Sequence, residues 1–403
     1  MSVSPALARP PVLVTDARWR KALAAVRALG RTGHSVIAAD STRAAPAFLS
    51  RYVRERRRYP DPSADPEGCL AALSAIAAAH PGLVVLPQDD PMVALVSRRR
   101  DAFPAGTHVP LPADEAIRIA LDKGATAERA ASLGLDVPTT VAVDPSGDVC
   151  AALAPLGFPL VLKPRTAWGS QGVRVVERES DLPSSVKQLA EGFGRLIAQE
   201  WIPPGAPALG VSCLLNQRGE LRAAFTHQRL REFPVGGGPS TLRESVHRPE
   251  LVAASVRLLR ALDWRGFAMV EWRTDPRDGK PHLLEINPRF VGSLALALAA
   301  GVDFPSLLYD VAVTGDCAAV PSYPAGVRCR WLIPGDLLHF VANPARMSLE
   351  PSFFEFRGKN LVYDDWARDD PLPSIAEVGV VAAQALRPRM WRYVFKRSEK
   401  LPA

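Results

Sequence analysis

The chain of 403 residues is 47% hydrophobic and 23% charged, which is typical of a globular protein large enough to contain several subdomains. It has no long uninterrupted apolar run and no basic segment followed by an apolar core near its start, so the sequence predicts no membrane partner and no signal peptide. The cysteines are scattered and form no CxxC pair, which argues against structural zinc or a disulfide framework and favours a cytoplasmic protein.

The net charge of +7 comes mostly from arginine, with short clusters at Arg54–Arg58 and Arg98–Arg100. Such clusters can attract nucleic acid or other anions. Here no interleaved aromatic residues and no recognisable nucleic-acid-binding motif accompany them. A solvated surface is therefore the expected role, and no nucleic acid is predicted as a partner.

Residues 1–112 predict a small α/β unit in which strands and helices alternate. The predicted strands cover residues 12–15, 35–39 and 83–86, and the predicted helices cover residues 19–29, 68–79 and 91–100. This alternation is typical of a parallel sheet with helices on both faces. The loop Pro87–Asp90 follows a strand end, where ligands of open α/β sheets often bind, although its aspartates could equally cap a helix.

The pattern after Pro112 is mixed rather than alternating. Helices are predicted over residues 114–133, 183–194 and 249–262 and within the stretch 290–315. Strands are predicted at residues 139–143, 160–164, 197–202, 211–216 and 220–227, and an arginine- and glycine-rich loop at residues 228–243. The segment after residue 320 is rich in proline and arginine and gives the weakest structural signal.

Lys163 lies within the apolar strand Pro159–Pro164, where a buried ammonium is costly unless an anion faces it. A triphosphate would supply such an anion. The strand is followed by the glycine-punctuated loop Thr166–Val173, in which backbone N–H groups could approach a phosphate closely. The candidate residues of this loop are Gly169, Ser170, Gln171 and Gly172. An ordinary hairpin is the alternative, and the strand lysine before the loop favours phosphate binding.

Two further segments could contribute to a ligand site. The strand Gln199–Ile202 ends at a double proline, and its free backbone groups could bind a purine edge or simply terminate the strand. The segment 227–241 combines Arg229 and Arg231 with three consecutive glycines. Arginine matches the geometry of carboxylates and phosphates, and a glycine stretch suits a loop that closes over reactants. A disordered surface loop is the alternative.

The most informative stretch is 266–289, in which two apolar runs flank the polar turn DPRDG. If the hairpin centres on this turn, Glu271 faces Glu285, and Asn287 projects from the same face. Buried paired carboxylates need a cation, and oxygen ligands of this kind suit Mg²⁺, usually shared with substrate phosphates. Arg289 would point to the same side and could hold a phosphoryl group or a carboxylate. The alternative is a hairpin with two solvent-facing acids.

Taken in chain order, these features resemble the ATP-grasp superfamily over roughly residues 115–320. The features that carry the resemblance are Lys123, the strand lysine Lys163 with its loop TAWGSQGV, the segment QEWI, Glu271 and the ending EINPR. The segment HQRLREFPVGGGPSTLRES is most similar to carboxylate–amine ligase-like members related to the large chain of carbamoyl-phosphate synthase.

The resemblance implies a fold of the α/β and α+β classes, in which an N-terminal Rossmann-like α/β domain precedes an ATP-grasp module of two α+β subdomains. The N-terminal domain is expected at residues 1–112 and the small, lid-like subdomain at residues 113–195. The large subdomain with the Mg-ATP site is expected at residues 196–320, and a C-terminal extension at residues 321–403.

The resemblance also implies a nucleotide site. Lys123 and Lys163 would contact the phosphates of ATP, together with the glycine-rich loop. The segment that would frame the adenine contains Gln199, Glu200, Trp201 and Ile202. Many family members place an acidic residue shortly after this segment to bind the ribose, but residues 203–219 contain none, so the ribose contact stays open.

Metal and catalytic roles follow from the same resemblance. Glu271, Glu285 and Asn287 would hold Mg²⁺, for which Mn²⁺ is an alternative. The arginines that would stabilise an acyl phosphate and orient the acid are Arg289, Arg231 and Arg229.

We therefore expect an ATP-dependent ligase that activates a small-molecule carboxylate as an acyl phosphate, releases ADP, and condenses the acid with an amine. Amino acid or peptide substrates are expected by analogy with the family. The sequence does not reveal the oligomeric state, for which a homodimer is a separate guess. Two alternatives stay open at this point. One is an ATP-grasp kinase or carboxylase-like enzyme that phosphorylates another acceptor, and the other is a catalytically silent nucleotide-binding protein.

Overall fold

The computed structural model describes residues 9–167 and 171–385, which form three β-sheets covered by helices. This mixed architecture agrees with the predicted α/β and α+β class. Among the helices described, none combines the length and the apolar character that crossing a bilayer requires.

The first sheet is parallel, as the alternation of strands and helices predicts. Its strands, in the order β3-β2-β1-β4, are β1 (Val12–Val14), β2 (Val36–Asp40), β3 (Val53–Arg58) and β4 (Val84–Leu86). Its helices are α1 (Arg20–Arg31), α2 (Pro66–Ala79) and α3 (Asp90–Arg98). Strands β1, β2 and β4 are fully buried, because apolar clusters cover both faces of the sheet.

Strand β3 is absent from the predicted elements. Its arginines, Arg54 and Arg56–Arg58, are exposed, as expected for a solvated cluster. The strand escapes prediction because it lacks the apolar alternation that marks a half-buried strand. A charged edge strand of this kind also discourages pairing with a further strand.

The second sheet is antiparallel and smaller. Its strands, in the order β5-β8-β6-β7, are β5 (Thr140–Val143), β6 (Leu160–Pro164), β7 (Arg174–Val176) and β8 (Leu196–Glu200). The helices of this part of the chain are α4 (Asp114–Leu121), α5 (Lys123–Ser132), α6 (Val149–Leu153) and α7 (Leu182–Phe193). Helices α6 and α7 cover the apolar face of the sheet.

The single helix predicted over residues 114–133 is wrong, because the chain breaks at Asp122 into α4 and α5. The backbone of Asp122 is extended, and its Oδ1 accepts hydrogen bonds from the amides of Gly124 (2.9 Å) and Ala125 (3.1 Å). The side chain of Arg165 donates to the same carboxylate at 2.8 Å. The break places Lys123 at the start of α5, beside the end of strand β6.

The third sheet has seven strands in the order β13-β12-β9-β10-β11-β14-β15. They are β9 (Ala208–Leu215), β10 (Leu221–Glu232), β11 (Ser240–Val246), β12 (Gly266–Thr274), β13 (Pro281–Asn287), β14 (Arg328–Arg330) and β15 (Leu361–Tyr363). Its helices are α8 (Pro249–Ala261), α9 (Leu294–Ala299), α10 (Phe304–Thr314), α11 (Leu337–Ala342) and α12 (Leu372–Ala385). Strands β14 and β15 follow residue 320, so the segment with the weakest signal extends this sheet.

The prediction of a loop over residues 228–243 is also wrong, because the loop in the structure is shorter. Strand β10 continues through Glu232 and β11 starts at Ser240, so the connection is confined to residues 233–239. Buried arginines in these strands are neutralised by acids from distant parts of the chain, as Arg231 is by Asp336. A sequence pattern cannot reveal such partners.

The segment between β15 and α12 joins the first sheet to the rest of the molecule through Asp370, which is 1% exposed. Its Oδ2 accepts hydrogen bonds from Nε of Arg27 (2.9 Å) and Oγ of Ser50 (2.7 Å). Its Oδ1 accepts the backbone N–H of Arg51 at 2.9 Å. The neighbouring Asp369 makes an exposed ion pair with Arg31.

Asp370→Ala is expected to lower the free energy of unfolding by about 3–5 kcal/mol, because it leaves the buried guanidinium of Arg27 without its carboxylate. Asp369→Ala removes an exposed ion pair and should cost no more than about 1 kcal/mol. Urea denaturation of both variants and the parent protein measures the difference. Equal losses for the two variants would contradict this account.

Candidate active site

The hairpin of β12 and β13 has the predicted register. Glu271 lies directly opposite Glu285, and Met269 lies opposite Asn287. A bulge follows Glu271, so the register shifts before the turn. The Nδ2 of Asn287 donates to Oε1 of Glu285 at 3.0 Å, which places the amide and this carboxylate on one face.

Two cations from other elements neutralise these carboxylates. Nη2 of Arg229, from β10, donates to Oε2 of Glu271 at 2.6 Å. Nζ of Lys123, at the start of α5, lies 3.5 Å from Oε2 of Glu285. Burial raises the pKa of Glu271, although Arg229 acts in the opposite direction. Burial also acts to raise the pKa of Glu285, but Lys123 and the hydrogen bond from Asn287 outweigh it and lower that pKa.

The two strands next to the hairpin, β9 and β10, place further residues in line with Glu271 across the sheet. Gly210 of β9 lies opposite Glu271, and His227 of β10 lies opposite Gly210. A Cβ atom at position 210 would fall 2.3 Å from Cε1 of His227, so the imidazole lies over the glycine backbone. His227 is 3% exposed, and its Nδ1 has no hydrogen-bond partner within the described residues. Burial lowers the pKa of His227 to about 3, so the ring is neutral.

Sequence reasoning missed His227. No local pattern marks it, and its relation to the acidic hairpin appears only once the strand order β12-β9-β10 is known.

Lys163 approaches the same carboxylates from the second sheet. Its Nζ donates to Oε1 of Gln199 on β8 at 2.7 Å, and Nε2 of Gln199 donates to Oγ1 of Thr140 at 2.8 Å. Burial lowers the pKa of Lys163 to about 8, while Glu285 acts to raise it. The strand lysine is therefore a cation at neutral pH that has a neutral amide as its hydrogen-bond partner.

The glycine-rich loop after β6 is described only in part, because Gly169 and Ser170 lie outside the described residues. Gln171 and Gly172 precede β7. Gly172 has φ of +69°, and a Cβ there would fall 2.6 Å from Pro164, so both the backbone conformation and the packing require glycine.

The segment proposed for the adenine lies at the end of β8. Glu200 accepts a hydrogen bond from Arg277, in the turn of the acidic hairpin, at 2.5 Å. Trp201 is half-buried and Ile202 is buried. The hydrogen bond between Arg277 and Glu200 links the second sheet to the hairpin of β12 and β13 in the third sheet.

The three predicted catalytic arginines have different surroundings. Arg289 binds Asp90 at the start of α3 through both Nε (2.5 Å) and Nη2 (3.0 Å), which connects the hairpin to the first sheet. Arg229 binds Glu271. Arg231 is held by Asp336, whose side chain is completely buried, through Nε and Nη2, and its Nη1 donates to the carbonyl of Pro351. This geometry favours a supporting role for Arg231 in the strand over the predicted contact with the acid.

The site thus gathers two opposed carboxylates, an amide and three cations where the second and third sheets meet. Mixed charge of this kind suits a metal–polyphosphate complex, in which the acids bind the cation and the lysines bind phosphate oxygens. Sequence reasoning found these residues but missed Asp122, which positions Lys123, and the role of Asp90 in holding Arg289.

Known proteins resemble the chain in this region. A family model described as "ATP-grasp in the biosynthetic pathway with Ter operon" matches residues 206–333. D-alanine–D-alanine ligase from Desulforudis audaxviator is 31% identical over 212 residues, which cover 47% of this chain and 67% of the ligase. Acetyl-CoA carboxylase from Saccharomyces cerevisiae is 29% identical over 164 residues, which cover 39% of this chain and only 7% of the carboxylase.

A solved structure of a biotin carboxylase–β-γ-ATP complex from Campylobacter jejuni superimposes with a TM-score of 0.64 and 18% identity. The superposition covers 79% of this chain and 74% of that one, and it shows a shared fold. The ligase match, together with the register of the acidic hairpin and the strand lysine that faces it, leads to one conclusion. The chain belongs to the ATP-grasp superfamily, with a carboxylate–amine ligase among its relatives.

Proposed function

We propose that the protein is an ATP-dependent ligase that activates a small-molecule carboxylate as an acyl phosphate and condenses it with an amine. The observation that carries the proposal is the pairing of Glu271 with Glu285, with Asn287 beside them and Lys123 and Lys163 facing them. Both carboxylates are half-buried, and their only direct cationic contacts among the described residues are Arg229 and Lys123, both groups that could also bind phosphate. A divalent cation between the two carboxylates would compensate their charge and release these groups to the nucleotide.

The donor set fits Mg²⁺. Glu271 and Glu285 supply carboxylate oxygens. Asn287 donates through Nδ2 to Glu285, and no described residue donates a hydrogen bond to its Oδ1, which could coordinate the ion. Mg²⁺, when bound, would neutralise phosphate charge and allow an anionic carboxylate to approach the triphosphate. Mn²⁺ could bind the same oxygen ligands.

The cations would bind the nucleotide. Lys123 and Lys163 reach the carboxylates from two different elements and would place their ammonium groups on phosphate oxygens of ATP. The segment Gln199–Ile202 would contact the adenine. Arg229 now neutralises Glu271, and a divalent cation at that carboxylate would free the guanidinium for a phosphate.

The reaction would proceed in two displacements. A carboxylate oxygen of the acid attacks the γ-phosphorus of ATP, and ADP leaves. The nitrogen of an amine then attacks the acyl carbon, inorganic phosphate leaves, and the amine loses a proton. The protein acts by positioning and charge neutralisation, with Arg289 oriented by Asp90 towards the reacting acid. An amino acid or peptide as substrate, a homodimer and a cytoplasmic location stay predictions.

A carboxylase-like reaction is the second candidate, because the chain is also similar to an acetyl-CoA carboxylase. In that case bicarbonate would be the acid that is phosphorylated. Product analysis separates the two: ADP release that requires bicarbonate and yields a carboxylated acceptor favours the carboxylase, whereas an amide product with no bicarbonate requirement favours the ligase.

Glu285→Gln should lower acid-dependent ADP release by about two orders of magnitude or more, because a lost metal ligand removes several kcal/mol of charge stabilisation. Glu250→Gln, on the exposed surface of α8, is the matched control and should leave the rate unchanged. Coupled-enzyme detection of ADP over a panel of acids and amines measures both. Full turnover in Glu285→Gln would remove this residue from the metal site.

Lys163→Met should weaken nucleotide binding, and it should also remove the pH dependence of nucleotide affinity that the parent protein is expected to show. The protonated form of Lys163 binds phosphate, so affinity in the parent protein should be complete below its pKa of about 8 and decline as the pH rises through that value. Calorimetric titration with Mg-ADP between pH 6.5 and 9.5 measures both effects. The control is Lys280→Met, in the exposed turn. Nucleotide affinity that is unchanged in Lys163→Met would exclude the lysine from the site.

Gly210→Ala should reduce turnover by roughly 100-fold. The new methyl group would clash with the His227 ring, and Gly210 lies directly opposite Glu271, so the clash would move this carboxylate. Small displacements of groups in an active site lower the rate strongly. The double variant Gly210→Ala/His227→Ala gives the methyl group room and should recover part of the rate. Steady-state ADP release measures this recovery. A double variant as slow as the single one would show that the clash with His227 is not the cause.

A further inference from the structure

Helix α1 begins without a side-chain cap. Its N-cap residue, Trp19, makes no capping hydrogen bond, and no acidic residue lies in the first turn. Within the described residues, the backbone N–H groups of Arg20 and Lys21 find no acceptor. These unpaired donors and the helix dipole together favour an anion at this end of the helix.

Lys21 adds a second and independent indication of a ligand. The residue is only 9% exposed, yet in the described part of the chain its ammonium makes no ion pair or hydrogen bond. A largely buried lysine whose ammonium has no direct ion pair is unfavourable. Burial and the nearby Arg289 together lower the pKa of Lys21 to about 7, although Asp89, Asp90 and Asp16 act to raise it.

The acids near Lys21 are bound to other groups. Asp90 is held by two nitrogen atoms of Arg289. Asp89 accepts a hydrogen bond from the indole N–H of Trp19 at 3.2 Å. The carboxylate of Asp16 accepts hydrogen bonds from three neighbours, which are Thr15, Tyr59 and Gln88. These hydrogen bonds orient the three carboxylates, and among the described residues none of the three forms an ion pair with Lys21.

The unsatisfied helix end lies next to the proposed reaction centre. Arg289, which acts on the pKa of Lys21, follows the metal-ligand candidate Asn287 by two residues. The loop after β13 also packs on α1, since a Cβ atom at Gly292 would fall 2.4 Å from Nη2 of Arg20. A molecule held at Arg289 would thus have its far end near Lys21 and the first turn of α1.

We propose that the acid substrate carries a second oxyanion, remote from the carboxylate that is activated, and that Lys21 and the first turn of α1 bind it. The substrate class is then a dicarboxylate or a phosphorylated carboxylic acid. This inference rests on the proposed ligase function for the reacting end of the substrate. Lys21 is a specificity-determining residue in this account and takes no part in the phosphoryl transfer.

The first experiment needs no turnover. The full chain contains eight lysines, so the ε-carbon signals of Lys21 can be followed by NMR through a pH titration of the protein with Mg-ADP. Saturating glutarate or inorganic phosphate should move the titration of Lys21 upward by roughly 1–2 pH units, because a bound anion stabilises the ammonium. Acetate, which has one carboxylate, should move it much less.

Binding of the same probes to variants completes this test. Lys21→Gln should weaken binding of glutarate or phosphate about 10- to 100-fold, since it removes a charge-assisted hydrogen bond. Lys21→Arg should retain part of the affinity, and Lys187→Gln, on the exposed face of α7, should leave it unchanged. If neither anion shifts the Lys21 titration, and if both bind the parent and Lys21→Gln equally, the proposal is overturned.

The second experiment uses ADP release with acids that differ only in their remote group. A dicarboxylate or a phosphorylated acid should be preferred to the matching monocarboxylate, and whichever of the two is preferred identifies the remote anion. Lys21→Gln should raise KM for that acid about 10-fold or more, leave kcat little changed, and abolish the preference. A preference that survives in Lys21→Gln contradicts the proposal. Absence of ADP release with every acid would count against the ligase function, while the NMR titration still decides the role of Lys21.

Discussion

The face-to-face placement of Glu271 and Glu285 is the constraint on which the rest of the site depends. Two carboxylates this close would repel each other unless cations compensate them. The protein supplies these cations from three separate elements, with Arg229 on β10, Lys123 on α5 and Lys163 on β6. The charges of the hairpin are therefore balanced by the third sheet itself, by α5 and by the second sheet, and this arrangement suits a metal and a polyphosphate.

Ion pairs between arginine and aspartate connect the first sheet to the rest of the molecule. Arg289 extends from the metal-ligand hairpin to Asp90, and Arg27 extends from α1 to Asp370. Asp364, next to β15, binds both Arg20 of α1 and Arg243 of β11. The high arginine content of the chain thus serves, in part, to join sheets through buried pairs, for which the planar guanidinium is well suited.

Predictions from the sequence succeeded where the conformation of a segment depends on residues within one element or one hairpin. The opposition of Glu271 and Glu285 was predicted from a turn centred on Asp278, and in the structure it depends on the bulge after Glu271, which shifts the register by one residue. Predictions failed where a distant partner decides the outcome. The continuation of β10 and the start of β11 depend on acids elsewhere in the chain, such as Asp336 and Asp364, and the break at Asp122 depends in part on Arg165.

Local periodicity, turn residues and short-range spacing were enough to determine three of the four strands of the parallel first sheet, most helices, the strand lysine and the hairpin of β12 and β13. These features depend on backbone geometry within a few residues of each other. Only the tertiary structure decided that His227 lies over Gly210 beside Glu271, that Arg231 is bound by Asp336, and that Lys21 is buried without an ion pair to any residue in the described part of the chain. The physical reason is that strand order, burial and charge pairing are set by contacts between residues far apart in the chain.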